Sequence, residues 1–292
     1  MKKNILVIGS LNMDYTIYCD KFPKDGETIF GISRFIQPGG KGANQAAAVG
    51  KSGLTNCYFL ACRGIDNDGE QIEKTLTDIG VHCLMKKVPV ETGNATIFVN
   101  RESENQIVVV SGANNELIPD DLKDVEFKDY SCIVLQNEIP EKTNEYIIKK
   151  AHSLNIPIIY NPAPYRPMSE ELYEKINYFI VNEVELQSYA KEPNIDKGIN
   201  ILLSKGIQNL IVTLGSKGSL FASLDQTISV PCYKSKVVDT VGAGDTYVGY
   251  FASGLCSGLD VASAMDLASR ASSITVSRKG SIISIPKGEE IK

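Results

Sequence analysis

Ser131-Cys132-Ile133-Val134-Leu135-Gln136-Asn137-Glu138 opens with an apolar run and breaks into polar residues, and the pattern then repeats. Lys142 to Leu154 reads as a helix, and Ile156 to Tyr160 as a strand ended by Asn161-Pro162-Ala163-Pro164. Tyr178 to Val181 runs into Asn182-Glu183-Val184-Glu185 and another helix. Leu210 to Thr213 runs into Leu214-Gly215-Ser216-Lys217-Gly218. Strands apolar at successive positions are covered on both faces. Strand, polar carboxyl end and helix in repetition predict an α/β three-layer sandwich: a mainly parallel sheet with helices on both faces. Ligands of such sheets collect at the polar carboxyl ends.

Working outward, Ile5 to Ile8 predicts a first strand, followed by Gly9-Ser10-Leu11-Asn12-Met13-Asp14. Asn12 and Asp14 read equally as turn residues or as ligand contacts. Cys57 to Ala61 predicts a strand, Glu70 to Ile79 a helix, and Asp260 to Ser277 the final helix. Two stretches break the alternation. Tyr15-Thr16-Ile17-Tyr18 and Thr28-Ile29-Phe30 flank the turn Pro23-Lys24-Asp25-Gly26. Ala95 to Val99 and Gln106 to Val110 flank the polar Asn100 to Asn105, the pattern of a hairpin. Together they predict one small β-sheet, from about 13–37 and 94–111, acting as a lid. With no linker and no repeat, residues 1–292 read as a single domain.

Two glycine turns carry the chemistry. In Val238-Asp239-Thr240-Val241-Gly242-Ala243-Gly244-Asp245-Thr246-Tyr247 an extended segment with Val230, Val237 and Val238 passes into a helix striped by Val248, Phe251, Ala252, Leu255 and Leu259. Small residues there let main-chain N–H groups approach a ligand, and a helix N-terminus favours an anion, above all phosphate. Asp245 has two readings: a carboxylate suited to the first helical turn, or a base beside a phosphoryl group. The second turn is Pro38-Gly39-Gly40-Lys41-Gly42-Ala43-Asn44-Gln45. It lacks the spacing of a P-loop, and Lys41 and Asn44, three apart, face one side of the helix start.

Composition narrows the classes. The 43% hydrophobic and 22% charged residues are those of a globular protein, and a net charge of -5 speaks against nucleic-acid binding. No apolar run reaches the length of a membrane span. Seven cysteines without a C-x-x-C pair read as buried free thiols of a reducing cytosol, and two histidines leave little for a zinc site. The chain enters its first strand directly, without a secretory leader, as expected of a cytoplasmic protein. The first strand is not followed by the glycine fingerprint of a dinucleotide-binding dehydrogenase.

Gly39-Gly40-Lys41-Gly42-Ala43-Asn44-Gln45-Ala46 and Asp239-Thr240-Val241-Gly242-Ala243-Gly244-Asp245-Thr246 resemble the two signature segments of the ribokinase-type sugar kinases, the phosphofructokinase-B superfamily. The similarity continues, in family order, through Gly9 to Asp14, Pro23 to Thr28, Asn161 to Pro164, Asn182 to Glu185, Thr213 to Gly218 and Arg278-Lys279-Gly280. Within the superfamily the first segment is most similar to the kinases of D-ribose. The resemblance implies ATP-dependent phosphorylation at O5, with Asp245 as base and the N–H groups of Gly242, Ala243 and Gly244 holding the transferring group. It implies sugar contacts from Asn12, Asp14, Gly40, Lys41, Asn44 and Glu138. It implies nucleotide contacts from Asn182, Glu185, Thr213, Gly215, Ser216, Gly218, Gly244 and Ser269, with Mg²⁺ ordered through water by Glu185. A monovalent cation, K⁺, is implied at Asp239, Val241, Thr275, Arg278, Gly280 and Ser284. The lid is implied to join a homodimer.

Three positions depart from the family pattern: Asn137 beside Glu138, Val248 where a polar residue is usual, and Ser269 where a larger one is. A sister kinase of deoxyribose, another pentose, a ketohexose or a nucleoside therefore stands as the alternative. A sugar-sensing protein without catalysis is the non-enzyme alternative.

Overall fold

The computed structural model describes residues 2–102 and 104–291. Residues 1, 103 and 292 (the two ends of the expected domain and one position in the expected hairpin loop) lie outside the described residues. The main sheet has nine strands. In chain order they are β1 (Asn4–Ile8), β4 (Asn56–Gly64), β5 (Val81–Val88), β8 (Cys132–Gln136), β9 (Ile158–Asn161), β10 (Tyr178–Asn182), β11 (Leu210–Thr213), β12 (Ser219–Ala222) and β13 (Thr227–Val230). Their spatial order is β13-β12-β11-β10-β9-β8-β1-β4-β5. All neighbours run parallel except β11–β12 and β12–β13.

Alternate residues of each central strand enter opposite cores, as the two-residue period requires. Ile5, Val7, Phe59, Val134, Ile180 and Ile211 pack with α1 (Lys41–Ser52), α2 (Asn67–Asp78), α6 (Ala243–Cys256) and α7 (Val261–Thr275). Leu6, Ile8, Leu135, Phe179, Val181 and Val212 pack on the other face with α3 (Glu141–Ser153), α4 (Glu183–Ala190) and α5 (Ile195–Ser204). After β1 the chain builds outward through β4 and β5, then returns to β8 and builds the other way. The order reverses between β1 and β8, the point at whose carboxyl edge such sheets form a ligand crevice.

The two irregular stretches pair as expected. Strands β2 (Asn12–Cys19), β3 (Gly31–Gly39), β6 (Gly93–Val99) and β7 (Asn105–Val110) form a separate sheet in the order β3-β2-β6-β7. Tyr15 of β2 hydrogen-bonds Asp68 of α2, fixing the root of this sheet to the main body.

Several expectations are corrected. Thr28–Phe30 lies outside any strand, and β3 begins at Gly31, because Gly31 is the residue that pairs with Cys19. The edge strands β5 and β13, and β12 beside β13, carry no long apolar run and were not expected. Val237 and Val238 are not in a strand: residues 231–242 hold neither helix nor strand. All seven cysteines are free, but Cys232 is exposed and Cys83 and Cys256 are half-buried, so four are buried thiols.

Candidate active site at the carboxyl edge

Helices α1 and α6 both start from glycine turns and meet at the crevice. Small residues let them approach closely: a Cβ built on Gly249 would lie 2.5 Å from the Cβ of Ala48 and 2.7 Å from the carbonyl oxygen of Gln45. That closeness delivers two amides to Asp245. Asn44 Nδ2 donates to Oδ2 at 2.9 Å, and Gln45 Nε2 donates to Oδ1 at 3.0 Å. Gln45 is oriented in turn by Gln136, whose Nε2 donates to Gln45 Oε1 at 2.7 Å, and by the oxygen of Asn161 at 3.1 Å.

The two readings of Asp245 separate here. The N-cap of α6 is Gly242, at φ 75°, with no side-chain cap bond. Asp245 is buried and accepts its hydrogen bonds from α1 across the crevice. Two amide donors and the first turn of a helix thus surround this carboxylate.

Around it gather the residues expected to contact a sugar. Glu138 Oε2 accepts from Ser10 Oγ at 2.6 Å and from the Lys41 main-chain N–H at 2.9 Å. Asn12 Oδ1 accepts from Asn114 Nδ2 at 2.8 Å. Gly39 and Gly40 are glycines for a reason of space: a Cβ at Gly39 would stand 2.1 Å from Asp14 Oδ2, and one at Gly40 2.7 Å from the Asn12 nitrogen. Burial first, then the charges of Glu138 and Asp245, push the Asp14 carboxyl up to about 7. Burial pulls the Lys41 ammonium down, but Asp245, Glu138 and Glu185 outweigh it and leave its pKa raised. Asn44 Oδ1 is buried and has no partner among the described residues, leaving an acceptor for a ligand's donor.

A cavity of about 680 Å³ adjoins this cluster. Thr213, Gly215, Ser216, Gly218, Gly244 and Ser269 line it, six of the eight residues expected to contact a nucleotide. Asn182 and Glu185 do not line it. They form a reciprocal cap at the head of α4, Asn182 Oδ1 accepting from the Glu185 N–H at 2.8 Å and Glu185 Oε2 from the Asn182 N–H at 3.0 Å. Burial nevertheless raises the Glu185 pKa, partly offset by the Asn182 N–H and by Lys41. Of the three expected anion-binding amides, that of Ala243 is already engaged by the Thr240 carbonyl at 3.3 Å. The amides of Gly242 and Gly244 make no hydrogen bond among the described residues.

The residues expected around a monovalent cation converge beside the turn. Asp239 accepts from the N–H groups of Val241 and Gly280, both at 3.0 Å. The N–H of Arg278 donates to the Thr275 carbonyl at 3.0 Å, and Thr275 Oγ1 lies 3.0 Å from Thr246 Oγ1, which donates to the Gly242 carbonyl at 2.9 Å. Ser284 Oγ donates to the Ser281 carbonyl at 2.6 Å.

The three departures each have a place in the structure. Asn137 is absorbed by a polar network of its own, donating to the Pro164 carbonyl at 3.1 Å and to Tyr189 Oη at 3.2 Å. Val248 is buried in the core, and Ser269 donates to the Pro231 carbonyl at 2.9 Å on the cavity wall. Sequence reasoning missed Ser10, Gln45, Asn114, Gln136 and Asn161, which hold the site residues. Polar types at strand ends were the available signal for Ser10, Gln136 and Asn161, but not for Gln45 on α1 or for Asn114. It also missed Tyr233, Lys234 and Ser272 on the cavity wall.

Residues 2–288 match the family model described as pfkB family carbohydrate kinase. The chain is similar to the ribokinase of Lactococcus lactis, 37% identical over 291 residues that cover 99% of this chain and 95% of the relative. It is 35% identical to the deoxyribokinase of Salmonella typhi over 297 residues, covering 98% of this chain and 97% of the relative. Its fold superposes on the Arabidopsis thaliana ribokinase complexed with ribose and ATP with a TM-score of 0.92, at 30% identity, covering 100% of this chain and 98% of that one.

Proposed function

This chain belongs to the pfkB family of carbohydrate kinases and is an ATP-dependent sugar kinase, and we propose that it moves the γ-phosphoryl group of ATP to O5 of D-ribose. The observation that carries this reading is the Asp245 carboxylate, buried, gripped by two amides and one residue from Gly244 on the cavity wall. With ATP in the cavity and a sugar among Asn12, Asp14, Gly40, Lys41, Asn44 and Glu138, Asp245 takes the proton of the primary hydroxyl. The oxygen so freed attacks the γ-phosphorus, and the bond to the β-phosphate oxygen breaks. The amides of Gly242 and Gly244 face the charge on the transferring group, joined by that of Ala243 once it leaves Thr240. Lys41, kept protonated by its three carboxylate neighbours, adds positive charge.

The residues present fit the two metals. Among the described residues no group of three His, Cys, Asp or Glu side chains is placed to hold an ion. A Mg²⁺ ion would therefore be held by nucleotide phosphates and water with Glu185 nearby, as suits an ion that keeps its waters. It supplies charge neutralisation on the phosphates. The donors at Asp239, Val241, Thr275, Arg278, Gly280 and Ser284 are one carboxylate, a hydroxyl and neutral carbonyls, a set that suits K⁺ and would steady the turn. Asn12 and Asp14 lie on β2, so the four-stranded sheet acts as a lid over the sugar and limits idle ATP hydrolysis. Its edge strand β7 exposes Ile107, Val108, Val109 and Val110, which supports a homodimer through this sheet.

A coupled ADP-release assay over D-ribose, deoxyribose, ketohexoses and nucleosides, with NMR of the product, tests the reading. D-ribose turned over with the highest kcat/KM and phosphate on C5 is the expected result. Preference for deoxyribose or a nucleoside would replace the substrate but keep the reaction. Sugar binding with no ADP release in Mg²⁺ and K⁺ would overturn it in favour of a sensor.

A further inference from the structure

The loop of residues 279–281 lies between the sugar-facing sheet and the anion turn and is bonded to both. Three successive residues grip strands β2 and β3. The Lys279 ammonium stands 4.7 Å from the ring centre of Tyr18 and 5.3 Å from that of Phe35. Gly280 lies so near Gln37 that a Cβ there would meet Gln37 Oε1 at 2.6 Å. The Ser281 N–H donates to Gln37 Oε1 at 3.0 Å, and its hydroxyl donates to the Pro38 carbonyl at 2.8 Å. On its other side the loop holds the turn. The Gly280 N–H donates to Asp239 Oδ2, whose partner oxygen accepts from the Val241 N–H. A Cβ on Gly242 would lie 3.3 Å from the Ser281 Cα.

Gln37 is the buried polar link in this chain. It pairs directly across the strands with Asp14, so the two side chains leave the same face of the sheet. Residues 231–242 form no helix or strand; the Gly242 carbonyl is held by Thr246 of α6, and the approach to the turn is held by Asp239 against the loop. A shift of the Ser281 amide therefore moves Gly280, Asp239 and the turn together.

We propose that Gln37 is a positioning residue for phosphoryl transfer: by holding Ser281 it ties the strand that carries the sugar contacts to the anion turn ahead of Asp245. It touches neither reacting group and acts through the loop. The proposal rests on the kinase reading above.

Gln37→Met keeps the length and removes the acceptor, whereas Gln37→Glu keeps an acceptor at the same reach. For Gln37→Met we expect kcat with D-ribose to fall by about ten- to a hundredfold, the scale of a misplaced reacting group. Calorimetric affinity for D-ribose should stay within about threefold of the parent, a difference below 1 kcal/mol. Hydrogen–deuterium exchange across residues 239–245 should quicken in Gln37→Met and not in Gln37→Glu, which should recover kcat. Unchanged exchange and unchanged kcat in Gln37→Met would overturn the tie. So would a loss of sugar affinity as large as the loss of kcat, which would make Gln37 part of the sugar site. The exchange measurement needs no turnover: a parent that fails to phosphorylate any sugar sinks the kinase reading, while the exchange result still judges the tie.

Discussion

Replacing Asp14 by Asn should make this protein more stable at alkaline pH than it is with its native residue. Asp14 is buried on β2 beside Glu138 and Asp245, and its carboxyl is pushed from an ordinary 3.8 up to about 7. The folded state therefore holds a proton there that the unfolded chain gives up between those two values. Stability from that proton is fully present below pH 3.8 and is lost as pH rises through 7. Between pH 5 and pH 9 the loss amounts to about 3 kcal/mol. Asn has nearly the shape of Asp, so the close approach of Gly39 survives, and it has no charge to lose. Urea denaturation of parent and Asp14→Asn at pH 5, 7 and 9 isolates the difference, because every other titrating group is common to both. The gap should move in favour of the variant by about 3 kcal/mol across this range. A gap independent of pH would refute the raised carboxyl. The variant's stability should come at the cost of sugar affinity if Asp14 contacts the sugar.

Two glycines separate packing from chemistry. At Gly244 a Cβ meets nothing within 4 Å, so Gly244→Ala should fold normally and gain about 0.5–1 kcal/mol from helix propensity. Its methyl group would stand where the main chain meets the phosphates, so steady-state kinetics should give an ATP KM raised by about tenfold or more, one lost charge-assisted contact. At Gly249 the same change drives α1 and α6 apart. Thermal and urea unfolding of Gly249→Ala should register a loss of about 1–3 kcal/mol, and kcat should fall as Asn44 and Gln45 withdraw from Asp245.

Much of this architecture was legible because apolar runs such as Ile133–Leu135 and Leu210–Thr213 have no other place than a sheet covered on both faces. Edge strands obey no such rule. Val81–Val88 buries only its two end residues and carries Lys86 and Lys87, so no run marks it. Phe30 and Val238 misled for the opposite reason: their β propensity is real, but Phe30 is 97% exposed and Val238 57% exposed, and neither is paired in a sheet. Both glycine turns and Asp245 were visible as local patterns, while six of the residues lining the cavity followed only from the family resemblance. What holds Asp245 was not. Gln45, Gln136 and Asn161 are brought together by the closeness of α1 and α6 and by neighbouring strand ends, a relation that no local spacing encodes.

The proton transfer assigned to Asp245 is tested most directly by single-turnover kinetics of Asp245→Asn with ATP, Mg²⁺, K⁺ and D-ribose, beside calorimetric binding of the sugar. The rate should fall by about 10²- to 10⁴-fold, the contribution of a positioned general base. Sugar binding and the unfolding transition should change little. A variant that turns over within about threefold of the parent, a difference worth less than 1 kcal/mol of barrier, would contradict the assignment of Asp245 as the base.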